Sequence, residues 1–218
     1  MKTKVIKIST LALLIMFSII TNAQQGLNLS INVSPQNSWL INADDYDNSD
    51  FEYKALILPA FGLGTGYNFT DNLGIGLELN YSLQGQRNEY LGIETTTRLD
   101  YLKIPIFFHY NTSSQNKLMF TANVGPQFGI LTNAKLLDND GEELIDDLSE
   151  VYMDLTFGAA ASFGIEYKLT EKINFFSLIK YDIDFTNSED EDYTLYQDSR
   201  ATTLNSTLGL QLGLKFHF

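Results

Sequence analysis

Isolated ionisable residues within otherwise apolar or small-residue stretches are the first candidates for chemistry. Five of them are Glu78, Lys103, Asp154, Lys180 and Asp182. A carboxylate beside an ammonium group can neutralise it in a protein interior, or the two can line a narrow path for ions. We predict an ionic network that closes the interior, with Glu78 and Lys103 as neighbours. An ion path through the same residues is the alternative.

A second candidate is an acidic segment beginning Asp-Asn-Asp-Gly at residues 138–141. Carboxylate oxygens are the ligands that Ca²⁺ prefers, and this order resembles the start of a calcium-binding loop. Asp138, Asp140 and Glu142 are therefore candidate metal ligands. The rest of the twelve-residue pattern is missing. The alternative is a solvated, mutually repelling acidic surface.

Enzymatic chemistry has little support in the sequence. The two histidines, His109 and His217, lie near predicted short turns rather than beside a serine and a carboxylate. The sequence has neither a phosphate-binding glycine motif nor a histidine-rich metal motif. We expect a non-enzymatic protein that requires no cofactor.

Charge and cysteine content exclude further classes. The 218 residues include 27 Asp and Glu against 14 Lys and Arg, and no cysteine. A formal charge of −13 argues against a nucleic-acid partner, since phosphate binding needs a basic face. Without cysteine there is neither a disulfide framework nor a thiolate metal site.

The first 23 residues have the three-part layout of a secretory signal. Lys2, Lys4 and Lys7 precede an apolar run at residues 8–20, and Thr21-Asn22-Ala23 supplies small residues before a cut. The apolar run is shorter than the roughly 20 residues of a membrane-spanning helix. We predict a cleavable signal peptide at 1–23 and a mature domain at 24–218.

The mature part has a period of two. In residues 204–218 the even positions are mostly leucine or phenylalanine, whereas the odd positions are Asn, Thr, Gly, Gln, Lys and His. Such alternation is typical of a strand with one apolar and one polar face. Eight strands are predicted, at 27–33, 55–69, 73–83, 98–110, 117–131, 152–168, 173–185 and 204–218.

The connections between these strands alternate in length. Short turns are predicted at 70–72, 111–116 and 169–172, and long loops at 35–54, 85–97, 132–151 and 186–201. The long loops therefore emerge at one end, and they hold 19 of the 27 acidic residues. This layout predicts an all-β, eight-stranded, antiparallel up-and-down transmembrane β-barrel.

The positions of the charges separate a membrane barrel from a soluble one. Lys103, Lys180 and Lys215 fall on the polar face of their strands, where they avoid a lipid-facing cost of about 2–4 kcal/mol. Arg98 and Asp100 have the apolar-face parity but lie at the loop end of their strand. Aromatic residues repeatedly end the apolar face, as at a lipid boundary. We therefore expect the apolar face to contact lipid.

Three motifs carry a family resemblance. They are LDYLKIP at 99–105, GPQFGIL at 125–131 and LGLQLGLKFHF at 208–218. With them, the mature chain resembles the PorT-like outer-membrane β-barrel family of Bacteroidetes. The resemblance implies an eight-stranded outer-membrane barrel whose last strand, with Phe216 and the terminal Phe218, carries a signal for the barrel-insertion machinery. PorT itself is associated with a protein-secretion system.

These observations predict an outer-membrane location and a structural or interaction role in the cell envelope. The expected partners are outer-membrane lipid, the insertion machinery during assembly, and envelope proteins that contact the extracellular loops. A small porin-like channel and a cation-binding surface protein are the alternatives.

Overall fold

The structure is a computed structural model that describes residues 26–46, 51–54, 56–90, 92–112, 116–193 and 200–218. The signal peptide and the cut after Ala23 lie outside the described residues, so both stay predictions. Among the described residues, no helix has the length and apolar character needed to cross a membrane.

Eight antiparallel strands form a closed ring in the described part of the chain. They are β1 (Gly26–Ile41), β3 (Leu56–Asn68), β4 (Leu73–Tyr90), β5 (Ile93–Asn111), β6 (Leu118–Leu137), β8 (Leu155–Lys168), β9 (Ile173–Asp184) and β10 (Leu204–His217). Two short strands, β2 (Phe51–Lys54) and β7 (Glu143–Ile145), pair with β4 and β6. A single-turn helix (Ala43–Tyr46) and a 3₁₀ turn (Ser149–Val151) lie in the connections.

Pairing between the first and last strands closes the ring. β1 runs antiparallel to β10 from Asn28↔His217 to Ile41↔Leu204, and every other neighbour in the ring is also antiparallel. The eight-stranded, antiparallel up-and-down barrel predicted from the sequence is confirmed.

Several strands extend well beyond their predicted ends. β1 continues past Pro35 to Ile41, and β4 and β5 form a hairpin that takes up nearly all of the predicted loop at 85–97. Pro35 is accommodated opposite Pro59, so neither residue has to donate a ladder hydrogen bond to the other. The predicted loop at 85–97 and the first part, 35–41, of the predicted loop at 35–54 were therefore wrong.

The apolar faces of the strands point outward. Leu29, Ile31, Leu63, Leu77 and Leu79 are large exposed side chains on the outer wall. Polar side chains on the opposite face of the strands are buried inside the ring, as at Asn80, Gln127 and Gln211. Because these apolar side chains cover the outside, the outer wall has the apolar band that a barrel in lipid requires.

Candidate functional site

The centre of the barrel contains a fully buried ion pair. Lys103 Nζ on β5 lies 2.5 Å from Asp184 Oδ2 on β9, and the two side chains are 2% and 0% exposed. Lys103 Nζ also lies 3.5 Å from Thr156 Oγ1, and 4.6 Å from the centre of the Tyr101 ring. A buried ammonium group is tolerable only with such a partner, so this pair fixes the interior of the barrel.

Lys103 reaches Asp184 because a glycine lies beneath its path. β6 and β8 separate the two residues in the ring, and Lys103 is registered against Gly129 on β6. A Cβ atom at Gly129 would lie 3.1 Å from Lys103 Cδ and Nζ. The missing side chain therefore leaves the space that the lysine crosses.

Glu78 pairs with Lys180 rather than with Lys103. Glu78 Oε2 lies 3.7 Å from Lys180 Nζ and accepts a hydrogen bond of 3.1 Å from Gln211 Nε2. Asn80, not Glu78, stands opposite Lys103 in the ladder. The prediction that Glu78 and Lys103 are neighbours was therefore wrong, although both side chains point into the barrel.

Asp182 lies inside the barrel, whereas Asp154 lies exposed at its rim. Asp182 is buried, and it accepts hydrogen bonds from Thr207 Oγ1 at 2.5 Å and from Gln127 Nε2 at 3.2 Å. Asp154 is exposed, because β8 begins only at Leu155 and Asp154 lies at the rim beyond it. The prediction that Asp154 belongs to the interior network was therefore wrong. Asp154 has inward parity, but it lies beyond the last ladder pair of β8, where its side chain faces solvent.

A further ionic cluster near the short turns was missed as part of the network. Glu166 accepts hydrogen bonds from Lys215 Nζ at 2.5 Å and from Asn174 Nδ2 at 2.6 Å, and His217 Nε2 lies 3.7 Å away. All four residues share the polar parity of their strands, which was the available signal. Their meeting depends on β9 lying between β8 and β10, which follows from the consecutive order of these strands in the sheet.

The same end of the interior has a small polar cavity of about 50 Å³. Its lining includes Glu78, His109, Asn123, Glu166 and Lys215. His109 Nδ1 is hydrogen-bonded to the Asn123 side chain, and Asn123 Nδ2 donates to Ser162 Oγ at 2.8 Å. A polar cavity of this size has room for a few water molecules and not for a larger substrate.

Apolar side chains close the interior at the loop end. Leu99, Tyr101 and Ala134 are fully or almost fully buried and pack against four partly buried residues: Leu40, Leu131, Leu148 and Tyr152. Leu148 belongs to the segment between β7 and β8, and its N–H donates to the Ala134 carbonyl at 2.9 Å. Burial raises the pKa of the Tyr152 phenol. This apolar cluster seals the mouth of the barrel above the Lys103–Asp184 pair.

The candidate metal ligands lie in a hydrogen-bonded turn. Asp138 Oδ1 accepts hydrogen bonds from the N–H groups of Asp140 at 2.9 Å and Glu142 at 2.8 Å, and Gly141 adopts φ +86°. The described residues contain no group of three or more histidine or carboxylate side chains that could hold a metal. Asp138 therefore holds the turn, and the interpretation of Asp138, Asp140 and Glu142 as a cation site stays a prediction.

Arg200 joins two of the long connections. It makes a two-pronged contact with Asp45, at 2.8 and 2.9 Å, and contacts Glu189 at 2.6 Å. The hydrogen bonds to Glu189 and Asp45 raise the pKa of the guanidinium group. Asp44 adds a 2.6 Å hydrogen bond from the Ala201 N–H. These charge-assisted contacts hold Asp44, Asp45 and Glu189 against residues 200–201.

The predicted insertion residues lie at the closing seam. Phe216 is registered against Leu29 on β1 and Ile173 on β9. Phe218 follows the end of β10, is exposed, and donates its N–H to the Leu27 carbonyl at 3.2 Å. Their role as a signal for the insertion machinery stays a prediction.

Comparison with known proteins agrees with this geometry. Neisserial surface protein A superposes with a TM-score of 0.50 at 10% identity, over 89% of this chain and 98% of that one. OprG of Pseudomonas aeruginosa gives 0.53 at 11% identity, over 89% and 97%. At such identities the likeness shows the fold alone. A comparison with curated proteins finds no match.

A family model described as the outer membrane protein beta-barrel domain matches residues 21–190. That range is most of the chain, and the closed ring with its apolar outer wall is the architecture that the description names. The chain belongs to the outer membrane protein β-barrel domain family and is a protein of the outer membrane.

Proposed function

We propose that this protein is a non-enzymatic, non-conducting barrel that anchors a rigid acidic loop end at the cell surface, where it contacts another component of the envelope. The observation that carries the proposal is the buried Lys103–Asp184 ion pair beneath the apolar cluster. An interior closed in this way leaves the loop end as the surface available for function.

The packing of the interior argues against the porin-like alternative. Gln84, Gln127 and Gln211 are fully buried at different points around the ring, so side chains fill the interior there. Eight-stranded barrels have interiors just wide enough for side chains to fill. An ion would have to displace both the central ion pair and the apolar cluster to pass.

The contacts of the histidines and serines favour a non-enzymatic role. His109 bonds to an amide, Asn123, and His217 Nε2 lies 2.9 Å from Asn174 Nδ2. A histidine that activates a serine needs a direct hydrogen bond to its hydroxyl. In these contacts Asn123 lies between His109 and Ser162, so the histidine is not bonded directly to that serine.

Electrical recording on the refolded protein in planar bilayers tests the closed interior. We expect no conductance steps from the native chain. As a positive control for the method, a variant with Leu99, Tyr101 and Lys103 all changed to Gly is expected to conduct, because it empties the sealed region. Steady conductance steps from the native chain would overturn the proposal and support a small channel.

The finer predictions from the family resemblance are part of the same proposal. Membership of the PorT-like group and an association with protein secretion would give the loop end its partner. Recognition of Phe216 and Phe218 by the insertion machinery is tested by Phe218→Ala, which should lower the yield of assembled barrel in the membrane without changing its folded stability. An equal loss of stability would assign Phe218 to packing alone.

A further inference from the structure

Beyond the apolar cluster, the loop end has an open groove with an unusual lining. Ile145, Leu148, Val151 and Tyr193 form its apolar side, and Glu189, Asp190 and Arg200 form its charged side; these residues are called the loop-end groove. Its volume is about 350 Å³, within the range of pockets that bind small molecules or single side chains. The Ile145 side chain is 42% exposed there.

The groove is held in place by hydrogen bonds between the two loop segments that line it. Asp190 N–H donates to the Val151 carbonyl at 2.9 Å, and Met153 N–H donates to the Ser188 carbonyl at 2.9 Å. Ser188 N–H in turn donates to Thr203 next to β10. Glu189 is fixed by Arg200. A surface that is ordered before binding loses little conformational freedom when a partner docks.

The electrostatic surroundings of the groove are strongly negative. Residues 138–154 carry eight acidic residues and residues 189–192 carry four, and neither segment contains a lysine or arginine. The nearby basic groups are already paired with carboxylates: Lys135 Nζ lies 2.6 Å from Glu143 Oε1, and Arg200 contacts Asp45 and Glu189. An apolar recess inside this field attracts a cation that also carries an apolar side chain.

We propose that the loop-end groove binds a positively charged, amphipathic peptide segment of another protein, with an apolar side chain in the recess and lysine or arginine residues against the acidic rim. This inference rests on the proposed role of the loop end in contacting a partner, and it names the chemistry of that partner. A second copy of this chain is a poor occupant, because two acidic loop ends repel each other.

The test uses a short fluorescent peptide of alternating leucine and lysine, titrated onto the full-length mature barrel in zwitterionic detergent. We expect saturable binding, weakened by added salt because the rim charges are screened. Matched peptides of serine with lysine and of leucine with glutamate should bind at least about tenfold more weakly, since each lacks one of the two features.

Two matched variants locate the binding. Ile145→Lys places a positive charge in the groove at an exposed position and should lower affinity for the leucine–lysine peptide by about tenfold or more. Ile93→Lys makes the same change at the exposed tip of the β4–β5 hairpin and should leave affinity unchanged. Differences between the variants are independent of any binding of the peptide to detergent.

Three results would overturn the inference. Equal effects of the two variants would mean that the peptide binds the acidic surface generally, and equal binding of the serine–lysine peptide would remove the role of the recess. Concentration-dependent dimers in light scattering that are lost in Ile145→Lys would assign the groove to self-association. If one of these three results is found and the native chain shows no conductance, the inference fails and the proposed non-conducting role stands. If the native chain conducts and the peptide binds specifically at the groove, the non-conducting role fails and the inference stands.

Discussion

Lys103 and Asp184 are 81 residues apart in the sequence, yet their charged atoms lie 2.5 Å apart inside the barrel. Removing one partner leaves the other charge buried without compensation. We expect Asp184→Asn to lower the free energy of unfolding by about 3–5 kcal/mol, measured by urea titration in lipid vesicles. The contrast is Glu143→Gln, which breaks the exposed Lys135–Glu143 pair and should cost less than about 1 kcal/mol.

If Asp184→Asn proves as mild as Glu143→Gln, the central pair does not hold the interior. A double change of Lys103→Met and Asp184→Leu should recover much of the stability, because it removes both charges together.

Gly158 stands opposite Asp184 in the ladder between β8 and β9. A Cβ atom at Gly158 would lie 2.1 Å from the Ile183 carbonyl oxygen and 2.7 Å from Asp184 Cα, so the backbone would have to move. We expect Gly158→Ala to lower the free energy of unfolding by about 1–3 kcal/mol. Gly76→Ala is the control, since its Cβ would meet nothing closer than 3.5 Å. Equal stability of the two variants would contradict the close approach at Gly158.

The Tyr101 hydroxyl is buried and has no hydrogen-bond partner among the described residues, whereas its ring packs in the apolar cluster. Tyr101→Phe should therefore keep or slightly raise the free energy of unfolding, because an unpaired buried hydroxyl costs free energy. Tyr101→Ala should lower it by about 3–5 kcal/mol through the cavity it leaves. A large loss in Tyr101→Phe would show that the hydroxyl has a bound partner such as water.

Leu63 and Ile57 lie on the outer face of β3, at different heights on the wall. Leu63 is registered between Ile31 and Leu79 within the apolar band, whereas Ile57 is near the loop end of the strand. Leu63→Arg should cost about 2–4 kcal/mol of folding stability in vesicles, and Ile57→Arg about 1 kcal/mol or less. Measured in detergent micelles, the difference should shrink. Equal costs in vesicles would misplace the membrane on this wall.

Alternation of apolar and polar residues was sufficient to predict the ring of strands, because a barrel in lipid requires it on every strand. It failed where both faces are polar: Gln86, Asn88 and Thr95 lie in the upper hairpin of β4 and β5, which stands clear of the apolar band. There the strands are specified by their ladder partners, and no period of hydrophobicity marks them.

The interior pairs could be predicted only by face, not by partner. Parity placed Lys103 and Glu78 on the inside, but the path of Lys103 depends on the missing side chain at Gly129 and on which strand lies across the barrel. Asp154 shows the opposite limit, because its parity is inward while its position is above the last pair of β8. Side-chain reach across a ring is a property of the closed fold and not of neighbouring positions in sequence.

The seam between β1 and β10 joins the beginning of the described chain to its final residues. β1 has no neighbour on that side until β10 has been synthesised and exported. A chain cut short before residue 204 would lack β10 and would expose the unpaired edges of β1 and β9 to the periplasm. Unpaired strand edges are prone to aggregation. A chain that ends before β10 therefore cannot close the ring.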